Sequence, residues 1–462
     1  MAAAGTSPRI VWLRRDLRLR DQAAFVAAAS QGPVIPVYVL DDETPKHRKM
    51  GGASRWWLHH SLASLDAELR EKGLCLILRR GRCEEVLPRL VEETGACEVH
   101  ALRHYEPWWR NAEKAVGKQV ALCLHDGNYL APPGSILSGS GTPYKIYTPF
   151  WRALNERMPP GDPLASPQKL EALGNWPESE MLGDWSLLPS KPDWAGGMRD
   201  MWQPGEQGAH RRLKAFADEA ARYEARRNLP SQEGTSFLSP HLHFGEISPA
   251  QAWHAVAPAG GSVGVFLGEL GWRDYAQNVI LQFPDYAGRS AKESYDHLRW
   301  REGNEAQSDL QAWQQGRTGY PIVDAGMRQL WATGWMHNRV RMIAASFLIK
   351  HLLIDWRKGE KSFWDTLVDA DYGSNAVNWQ WSAGSGVDAQ MFVRIMAPLT
   401  QSAKFDAAGY IREWVPELAD LSDEDIHDPS GTIRPGSYPA RIVDHREARE
   451  RALAAWRDVK GD

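Results

Sequence analysis

The chain has 462 residues, 43% hydrophobic and 24% charged, a balance that excludes a wholly disordered or fibrous protein. Its 54 Lys and Arg against 58 Asp and Glu leave a net charge of −4, so a nucleic-acid site must be a local basic patch. The longest largely apolar run, Met342 to Ile349, is far shorter than the ~20 residues that cross a membrane.

The N-terminus, MAAAGTSPRI, lacks the charged start and long apolar run of a secretory signal. The four cysteines, Cys75, Cys83, Cys97 and Cys123, have no paired ligand spacing, so we expect reduced thiols in a cytoplasmic protein. Tryptophan is unusually frequent, with 22 residues against 13 Tyr and 11 Phe. Most of these rings are expected in the core, although the surplus also suits electron transfer or ring stacking.

The first 130 residues alternate short apolar runs with amphipathic segments, which predicts a doubly wound α/β domain with a parallel sheet. The predicted strands are Arg9–Leu13, Val34–Leu40, Leu74–Leu78, Glu98–Leu102 and Val120–Leu124, and the clearest helices are Trp56–Lys72 and Cys83–Thr94. Neither the G-x-G-x-x-G nor the G-K-[ST] phosphate-binding pattern is present.

Residues 131–208 are rich in Pro, Gly, Ser and Trp with little periodicity, which predicts an interdomain connector. From residue 209 to 462 strand patterns nearly vanish, so the second domain is predicted to be all-helical. The predicted helices are Ala215–Arg227, Pro249–Val256, Val263–Leu281, Leu310–Gln314, Ile322–Ala332 and Met336–Leu353.

Two helical stretches carry polar residues among apolar ones. Glu269, Trp272 and Arg273 share one helix face, where a structural ion pair is the simplest interpretation. In TGWMHNRVRM, Asn338 and Arg341 lie along one stripe with Trp335 and Met342, and they need partners on a core-like helix. A bound polar ring system or a neighbouring Asp would supply these partners. Alternatively, Asn338 is a core residue with its own hydrogen bonds, and Arg341 caps a helix.

Three loops hold further candidates. Asp369 and Asp371 precede a Gly/Ser/Asn turn whose spacing excludes an EF-hand, and Asp369 is a natural counterion for Arg341. Thr235, Ser236 and Ser239 could seat an anion at a helix start, although a plain Ser/Thr capping box is by itself the better explanation. His241 and His243 lack a third ligand at metal-binding spacing, so we predict no metal site.

Long motifs resemble the photolyase/cryptochrome flavoproteins over nearly the whole chain. They are VWLRRDLRLRD at Val11–Asp21, then GTSFLSP and GELGWRDY, and the dense region Trp313–Asp406 with GWMHNRVRM, LLIDW, NWQW and QSAKFD. The family fold joins an N-terminal α/β domain to a helical FAD-binding domain, as the periodicity also predicts.

The resemblance implies roles for individual positions. Those that match FAD contacts are Tyr223, Thr235, Ser236, Leu238, Ser239, Arg273, Trp335, Asn338, Arg341, Asp369, Asp371 and Asn375, with Asn375 at flavin N5. Those that match the lesion pocket are Glu269, Trp272, Asn338, Met342 and Trp381. The electron relay is matched by Trp300, Trp356 and Trp379, and the DNA-phosphate rim by Arg227, Arg339, Arg394 and Lys404.

The same resemblance implies light-driven splitting of cyclobutane pyrimidine dimers in UV-damaged DNA by a monomer without an obligate protein partner. Asn338 and Met342 stand where (6-4) photolyases have His, and Asn375 stands where plant cryptochromes have Asp. A blue-light photoreceptor without repair activity remains the alternative, and a flavin-binding interaction protein a more distant one. The family also allows an antenna chromophore, either methenyltetrahydrofolate or a deazaflavin.

Overall fold

The computed structural model describes residues 7–168, 170–389, 392–430 and 433–460. The described residues divide into two compact units. Unit 1 comprises the described parts of residues 1–193, 202–220 and 236–284, and unit 2 comprises residues 194–201, 221–235 and the described parts of 285–462. The predicted domains, at residues 1–130 and 209–462 with a connector at 131–208, are defined by function as well as by contacts. This division stays a prediction.

A five-stranded parallel sheet forms the centre of unit 1. Its strands are β1 (Arg9–Leu13), β2 (Val34–Leu40), β3 (Ile77–Arg80), β4 (Glu98–Leu102) and β5 (Leu122–His125). The strand order β3-β2-β1-β4-β5 reverses at β1, which is the arrangement of a doubly wound sheet. The predicted α/β class is therefore confirmed, and buried β1 and β2 read as continuous apolar runs because both of their faces are covered.

Helices alternate with these strands. They are α1 (Ala23–Ala29), α2 (Gly52–Glu71), α3 (Cys83–Thr94), α4 (Pro107–Val116) and α5 (Tyr147–Asn155). The side chain of Gln22 caps α1 by accepting from the backbone N–H groups of Ala24 and Phe25. Helix α5 lies inside the segment that the sequence predicts to be an aperiodic connector.

The rest of the chain is helical, as predicted. In chain order the helices are α6 (Gly196–Met201), α7 (Glu206–Glu219), α8 (Tyr223–Arg226), α9 (Ser239–His243), α10 (Pro249–Val256), α11 (Val263–Gln282), α12 (Gly303–Gln314), α13 (Pro321–Thr333), α14 (Asn338–Ser346), α15 (Trp356–Thr366), α16 (Tyr372–Ala383), α17 (Pro398–Lys404), α18 (Ala408–Trp414) and α19 (His445–Lys460). Short 3₁₀ turns cover Lys46–Arg48, Leu182–Trp185, Ala220–Arg222, Ala257–Ala259, Glu293–His297, Pro416–Leu418 and Asp425–His427. Among the residues described, we find no helix that is long and apolar enough to cross a bilayer.

Several predicted bounds are wrong. Strand β3 begins at Ile77 rather than Leu74, because its backbone pairs with β2 from Val37 onward. The predicted helix Met336–Leu353 begins at Asn338 and changes into a π-helical turn at Phe347–His351. His337 precedes α14 with a non-helical backbone, and its ring nitrogen accepts from the N–H of Arg339.

The segment after β1 contains arginines that are fully buried. Arg14 donates to Glu113 at 2.7 Å, and its guanidinium carbon lies 4.1 Å from the centre of the Trp12 ring. Arg18 donates to Asn128 Oδ1 and to the carbonyl of Gly245, each at 2.9 Å. These cations bind protein groups within unit 1, so the RRDLRLRD motif organises the α/β core.

Candidate functional site

The predicted site residues belong to both units. Unit 1 contains Ser236, Leu238, Ser239, Glu269, Trp272 and Arg273. Unit 2 contains Tyr223, Arg227, Thr235, Trp300, Trp335, Asn338, Arg339, Arg341, Met342, Trp356, Asp369, Asp371, Asn375, Trp379, Trp381, Arg394 and Lys404.

The predicted pair of Arg341 and Asp369 forms in unit 2. The guanidinium donates to both carboxylate oxygens, at 3.1 and 2.9 Å, and its Nε donates to the carbonyl of Met336 at 2.7 Å. The side chain of Asp369 is 5% exposed and that of Arg341 is 24% exposed, so a buried carboxylate holds a cation that still reaches the surface. The Trp335 ring lies 5.9 Å from the guanidinium carbon. The bidentate contact with Asp369 fixes the plane of the Arg341 guanidinium.

The start of α16 places two other predicted flavin contacts. Asp371 caps the helix by accepting from Ser374 N at 2.6 Å. One turn along, the amide nitrogen of Asn375 donates to the side chain of Glu360 at 2.9 Å and to its carbonyl at 3.1 Å. Because Glu360 is fully buried, it holds the Asn375 amide in one orientation.

Buried aromatic rings surround Trp379. Its ring meets Phe363 at 5.0 Å and Trp313 at 6.3 Å, both edge to face. A Cβ on Gly359 would lie 2.2 Å from the Trp379 ring, so α15 and this indole touch directly. Trp356 begins α15 and is 1% exposed, one turn before Gly359 on the same helix face. Trp300, the predicted outer relay residue, is half-buried in the loop before α12.

Gln380 is a residue whose importance the sequence analysis missed. It lies fully buried between Trp379 and half-buried Trp381. Its amide nitrogen donates to the carbonyls of Tyr286 and Arg289 at 2.5 and 2.8 Å, and its oxygen accepts from Ala291 N at 2.9 Å. Gln380 therefore anchors the 286–291 loop to α16. The sequence carries no signal for this role, because it depends on which backbone groups lie beside the amide in space.

The four predicted phosphate-binding residues form a cationic cluster in unit 2. Arg339 and Lys404 flank the Phe405 ring, with the guanidinium carbon at 4.6 Å and the ammonium nitrogen at 5.4 Å from its centre. Burial and the charges of Arg227 and Arg394 lower the pKa of Arg339. Arg394 and Lys404 are exposed. We call Arg227, Arg339, Arg394 and Lys404 the cationic cluster.

Two other contacts hold this cluster in place. Arg339 donates to Asn228 Oδ1 at 2.7 Å, and a guanidinium nitrogen lies 3.6 Å from the sulfur of Met342. Arg227 has its guanidinium carbon 5.2 Å from the ring centre of Tyr223, which is buried. Arg339 therefore rests on an amide and a thioether, and Arg227 lies against an aromatic ring.

Positive charge in this region also acts on His337, which is 3% exposed. Burial, followed by the charges of Arg339, Arg341 and Arg227, lowers the pKa of His337 to about 4. The imidazole is therefore neutral near pH 7. Burial is the main cause of this neutrality, and the neighbouring guanidinium groups add to it.

In unit 1, helix α11 presents Glu269, Trp272 and Arg273. The Trp272 ring stacks on Tyr147 with 3.5 Å between ring centres, and Tyr147 donates to the carbonyl of Gly268 at 2.6 Å. Arg273 donates to the carbonyl of Asn128 and, at 3.1 Å, to that of Leu242. Burial and the charges of Glu269 and Asp274 raise the pKa of Tyr147. Thus one face of Trp272 packs on protein, and Arg273 joins separate segments of unit 1.

The predicted anion seat lies along a bend before α9. Ser236 Oγ accepts from Leu238 N at 3.3 Å, and the Ser236 carbonyl accepts from Arg212 at 2.8 Å. Phe237 between them has a φ of 52°, and Leu238 is fully buried. Ser239 is exposed at the start of α9. The bend therefore combines hydroxyl groups with a nearby guanidinium, which suits a phosphate-containing ligand.

His241 and His243 have partners that explain them without a metal. His241 Nδ1 lies 2.5 Å from Glu246, whose other oxygen accepts from the indole of Trp57 at 2.8 Å. His243 Nδ1 lies 3.1 Å from Arg15. The prediction that this pair binds no metal rests on the missing third ligand in the sequence and stays a prediction.

The side chains of unit 2 fit a flavin. A flavin has a polar ring edge and an aromatic body. Unit 2 offers oriented donors and acceptors for the polar edge, in the Arg341–Asp369 pair and the Asn375 amide, and buried indoles beside them. Trp108 and Trp109 in unit 1 line a cavity of about 20 Å³. The possible antenna stays a prediction.

Two family models match the chain. Residues 9–168 match the model described as DNA photolyase, and residues 266–458 match the FAD binding domain of DNA photolyase. The chain is 48% identical to the deoxyribodipyrimidine photo-lyase of Agrobacterium fabrum, with 98% of both chains covered. It is 36% identical to cryptochrome-1 of Arabidopsis thaliana, covering 96% of this chain and 69% of that protein.

A crystal structure of a bacterial class III photolyase from Agrobacterium tumefaciens shares the fold over the full length of both chains, with a TM-score of 0.94 and 46% identity. Both the matched models and the near-complete coverage agree with the α/β and helical parts described above. The chain therefore belongs to the DNA photolyase family and carries that family's FAD-binding domain.

Proposed function

We propose that this protein is a cyclobutane pyrimidine dimer photolyase, a lyase that uses light to repair UV-damaged DNA. Family membership supports light-driven DNA repair, and the pocket residues support the dimer as substrate. The observation that carries the proposal is α14, which presents Arg339 of the cationic cluster two residues from Arg341 of the buried ion pair. One short helix thus joins a DNA-binding charge to the predicted flavin site.

The cationic cluster supplies the local basic patch that a chain of net charge −4 requires. Arg339 and Lys404 contact the Phe405 ring, Arg339 also contacts Asn228 and Met342, and its charge lies near those of Arg227 and Arg394. DNA phosphates are the ligands that such a cluster recognises. Flipping a damaged, poorly stacked pair out of the duplex costs less than flipping an intact one.

Each of the other proposed residues has a defined task. Arg341, held by Asp369, and Asn375, held by Glu360, orient the flavin ring. Glu269 donates to or stabilises the lesion bases, and Trp272 and Trp381 stack on them. When bound and reduced, the flavin supplies the single electron that light transfers to the dimer.

The test is repair of UV-irradiated oligo(dT) by the FAD-loaded protein after chemical reduction and blue illumination. We expect thymine absorbance to recover only in the light. Trp381→Ala should lower binding of the irradiated oligonucleotide about ten-fold, since stacking contributes about 1–3 kcal/mol per base. Trp331→Ala is the matched control, because Trp331 is 63% exposed and lies outside the proposed pocket. Unchanged lesion binding by Trp381→Ala would contradict the pocket assignment.

The relay has a separate test. Trp379→Phe should slow photoreduction of the oxidised flavin, because Phe is harder to oxidise, while repair by pre-reduced protein continues. Transient absorption measures the first rate and the oligo(dT) assay the second. Equal photoreduction rates in the variant and the parent protein would remove Trp379 from the relay.

A blue-light photoreceptor is the second candidate, favoured by the 36% identity to cryptochrome-1. Flavin photoreduction without any recovery of thymine absorbance would select it over repair. Recovery on (6-4) photoproducts alone would select the other photolyase class. A monomeric state, a cytoplasmic location and an antenna, either methenyltetrahydrofolate or a deazaflavin, complete the proposal.

A further inference from the structure

A group of metal-binding side chains lies on β4 and β5, in the part of unit 1 that the proposed repair function does not use. Glu98 and His100 are two residues apart on β4, so they point to the same face of the sheet. Cys123 on β5 pairs directly with His100 in the parallel register, and His125 follows two residues later. Strand pairing alone therefore places four ligand-type side chains on one face.

Their distances are those of a ligand set. One ligand atom each from Glu98, His100 and Cys123 lie within 4.8 Å of one another. His100 Nε2 is 3.2 Å from the Glu98 carboxylate, and His100 Nδ1 is 3.0 Å from His125 Nε2. The two imidazoles stack with their ring centres 5.3 Å apart. His100 is 2% exposed, while Glu98, Cys123 and His125 are half-buried and reach the surface.

The histidine geometry matches a coordinated imidazole. If His100 Nε2 binds an ion, then Nδ1 must carry the proton of the neutral ring. That N–H points at His125 Nε2, which can accept it. Metal-binding histidines almost always donate their second ring N–H to such a partner, which fixes the ring orientation. His125 is therefore a positioning residue rather than a ligand.

Charge favours the same conclusion. On binding an ion Cys123 would release its proton, and its thiolate and the Glu98 carboxylate would together carry two negative charges, which equal the charge of a divalent ion. Arg9 lies 3.7 Å from the same carboxylate and pairs with it when no ion is bound. Sulfur, imidazole and carboxylate are the donors that Zn²⁺ takes in proteins.

We propose that Glu98, His100 and Cys123 form a site for a divalent transition-metal ion of the Zn²⁺ class, with His125 holding His100 and water completing the coordination. The ion would join β4 to β5, the strand at the edge of the sheet. An edge strand has hydrogen-bonded neighbours on one side only, so a cross-strand ligand set stabilises its attachment.

Cysteine labelling on the full-length, FAD-loaded protein tests this proposal. Each thiol is alkylated with iodoacetamide with and without Zn²⁺, and mass spectrometry gives the rate for every cysteine. With Zn²⁺ at ten times its Kd, labelling of Cys123 should slow about ten-fold because only the metal-free fraction reacts. Half-buried Cys75 and exposed Cys97 serve as internal controls whose rates stay unchanged. Equal slowing of all three thiols, or no slowing of Cys123, overturns the proposal.

Variants of half-buried residues give an independent answer. Cys123→Ser and Glu98→Gln should each weaken Zn²⁺ binding at least about ten-fold in calorimetric titrations, as expected for loss of a ligand. Glu92→Gln changes an exposed carboxylate on α3 and should leave the affinity unchanged. His125→Ala should weaken binding without abolishing protection of Cys123. Circular dichroism shows that each variant is folded, and an unchanged affinity in folded Cys123→Ser rejects the site.

Discussion

Two groups of arginines show how the same side chain takes opposite roles. In unit 1, Arg14 and Arg18 follow β1, are at most 1% exposed, and bind Glu113, an amide oxygen and backbone carbonyls. In unit 2, Arg339 rests on Phe405 and Asn228, with Arg227 and Arg394 as the charges that act on it. The first group is neutralised by buried protein groups, whereas Arg339 lies among other cations, in the group proposed to contact DNA phosphates.

The comparison teaches that an arginine-rich motif is not evidence of a nucleic-acid surface. RRDLRLRD has four arginines in eight residues, yet its buried members hold loops and strands together. The proposed DNA contacts are instead separated along the chain, at positions 227, 339, 394 and 404. Their partners, rather than their local density in the sequence, distinguish the two groups.

Arg14→Ala, in the neutralised group, should cause the largest loss in the free energy of unfolding. It leaves the Glu113 carboxylate buried without its cation, and removal of one partner of a buried pair costs about 3–5 kcal/mol. Urea unfolding followed by circular dichroism measures the change in the free energy of unfolding. Arg20→Ala is the control, because the Arg20 side chain is 63% exposed and 4.0 Å from its partner Glu206. Similar losses in both variants would contradict the distinction.

Acidification should destabilise unit 2 through His337, which is buried beside three arginines. His337 has a pKa of about 4 in the folded protein, below the ordinary 6.5, so the unfolded chain binds a proton first as the pH falls. Stability from this group is present above pH 6.5 and is lost between pH 6.5 and 4, by about 3 kcal/mol. His337→Asn keeps a capping oxygen but does not titrate, so its loss of stability over this range should be smaller. Coinciding pH profiles would contradict this account.

Arg339→Ala should have the smallest effect on folding and a measurable effect on DNA binding. Loss of one phosphate contact should raise the Kd for duplex DNA about ten-fold and lower the salt slope by about 0.9. Fluorescence anisotropy at several salt concentrations measures both quantities. Arg446→Ala removes a side chain that is 88% exposed on α19 and should change neither. An unchanged salt slope for Arg339→Ala would show that this cation does not contact a phosphate.

Local pattern predicted much of the fold. Strands β1, β2 and β4 and helices α3 and α10 have the predicted bounds, because buried apolar runs and clear amphipathic periodicity mark them. The bounds of β3 were wrong because pairing with β2 determines where it begins, and Leu74 is buried without joining the ladder. The start of α14 depends on His337 acting as its cap, which helix periodicity does not report.

Site residues were predictable to the extent that they occur in long motifs. The Arg341–Asp369 pair follows from complementary charge, and the structure forms it. Gln380 and Glu360 were missed because their roles depend on which backbone groups and amides lie beside them in space. Cys123 and His100 are 23 positions apart, and only the parallel pairing of β4 with β5 brings them together.

The contact between Gly359 and Trp379 has a consequence for substitutions at position 359. Because a single added methyl at position 359 would overlap the indole, this residue controls where an oxidisable ring can stand. Gly359 has no redox, acid–base or charge chemistry of its own. A search for reactive side chains alone would therefore not select Gly359. A larger residue there would nevertheless displace the Trp379 ring and so change the proposed relay.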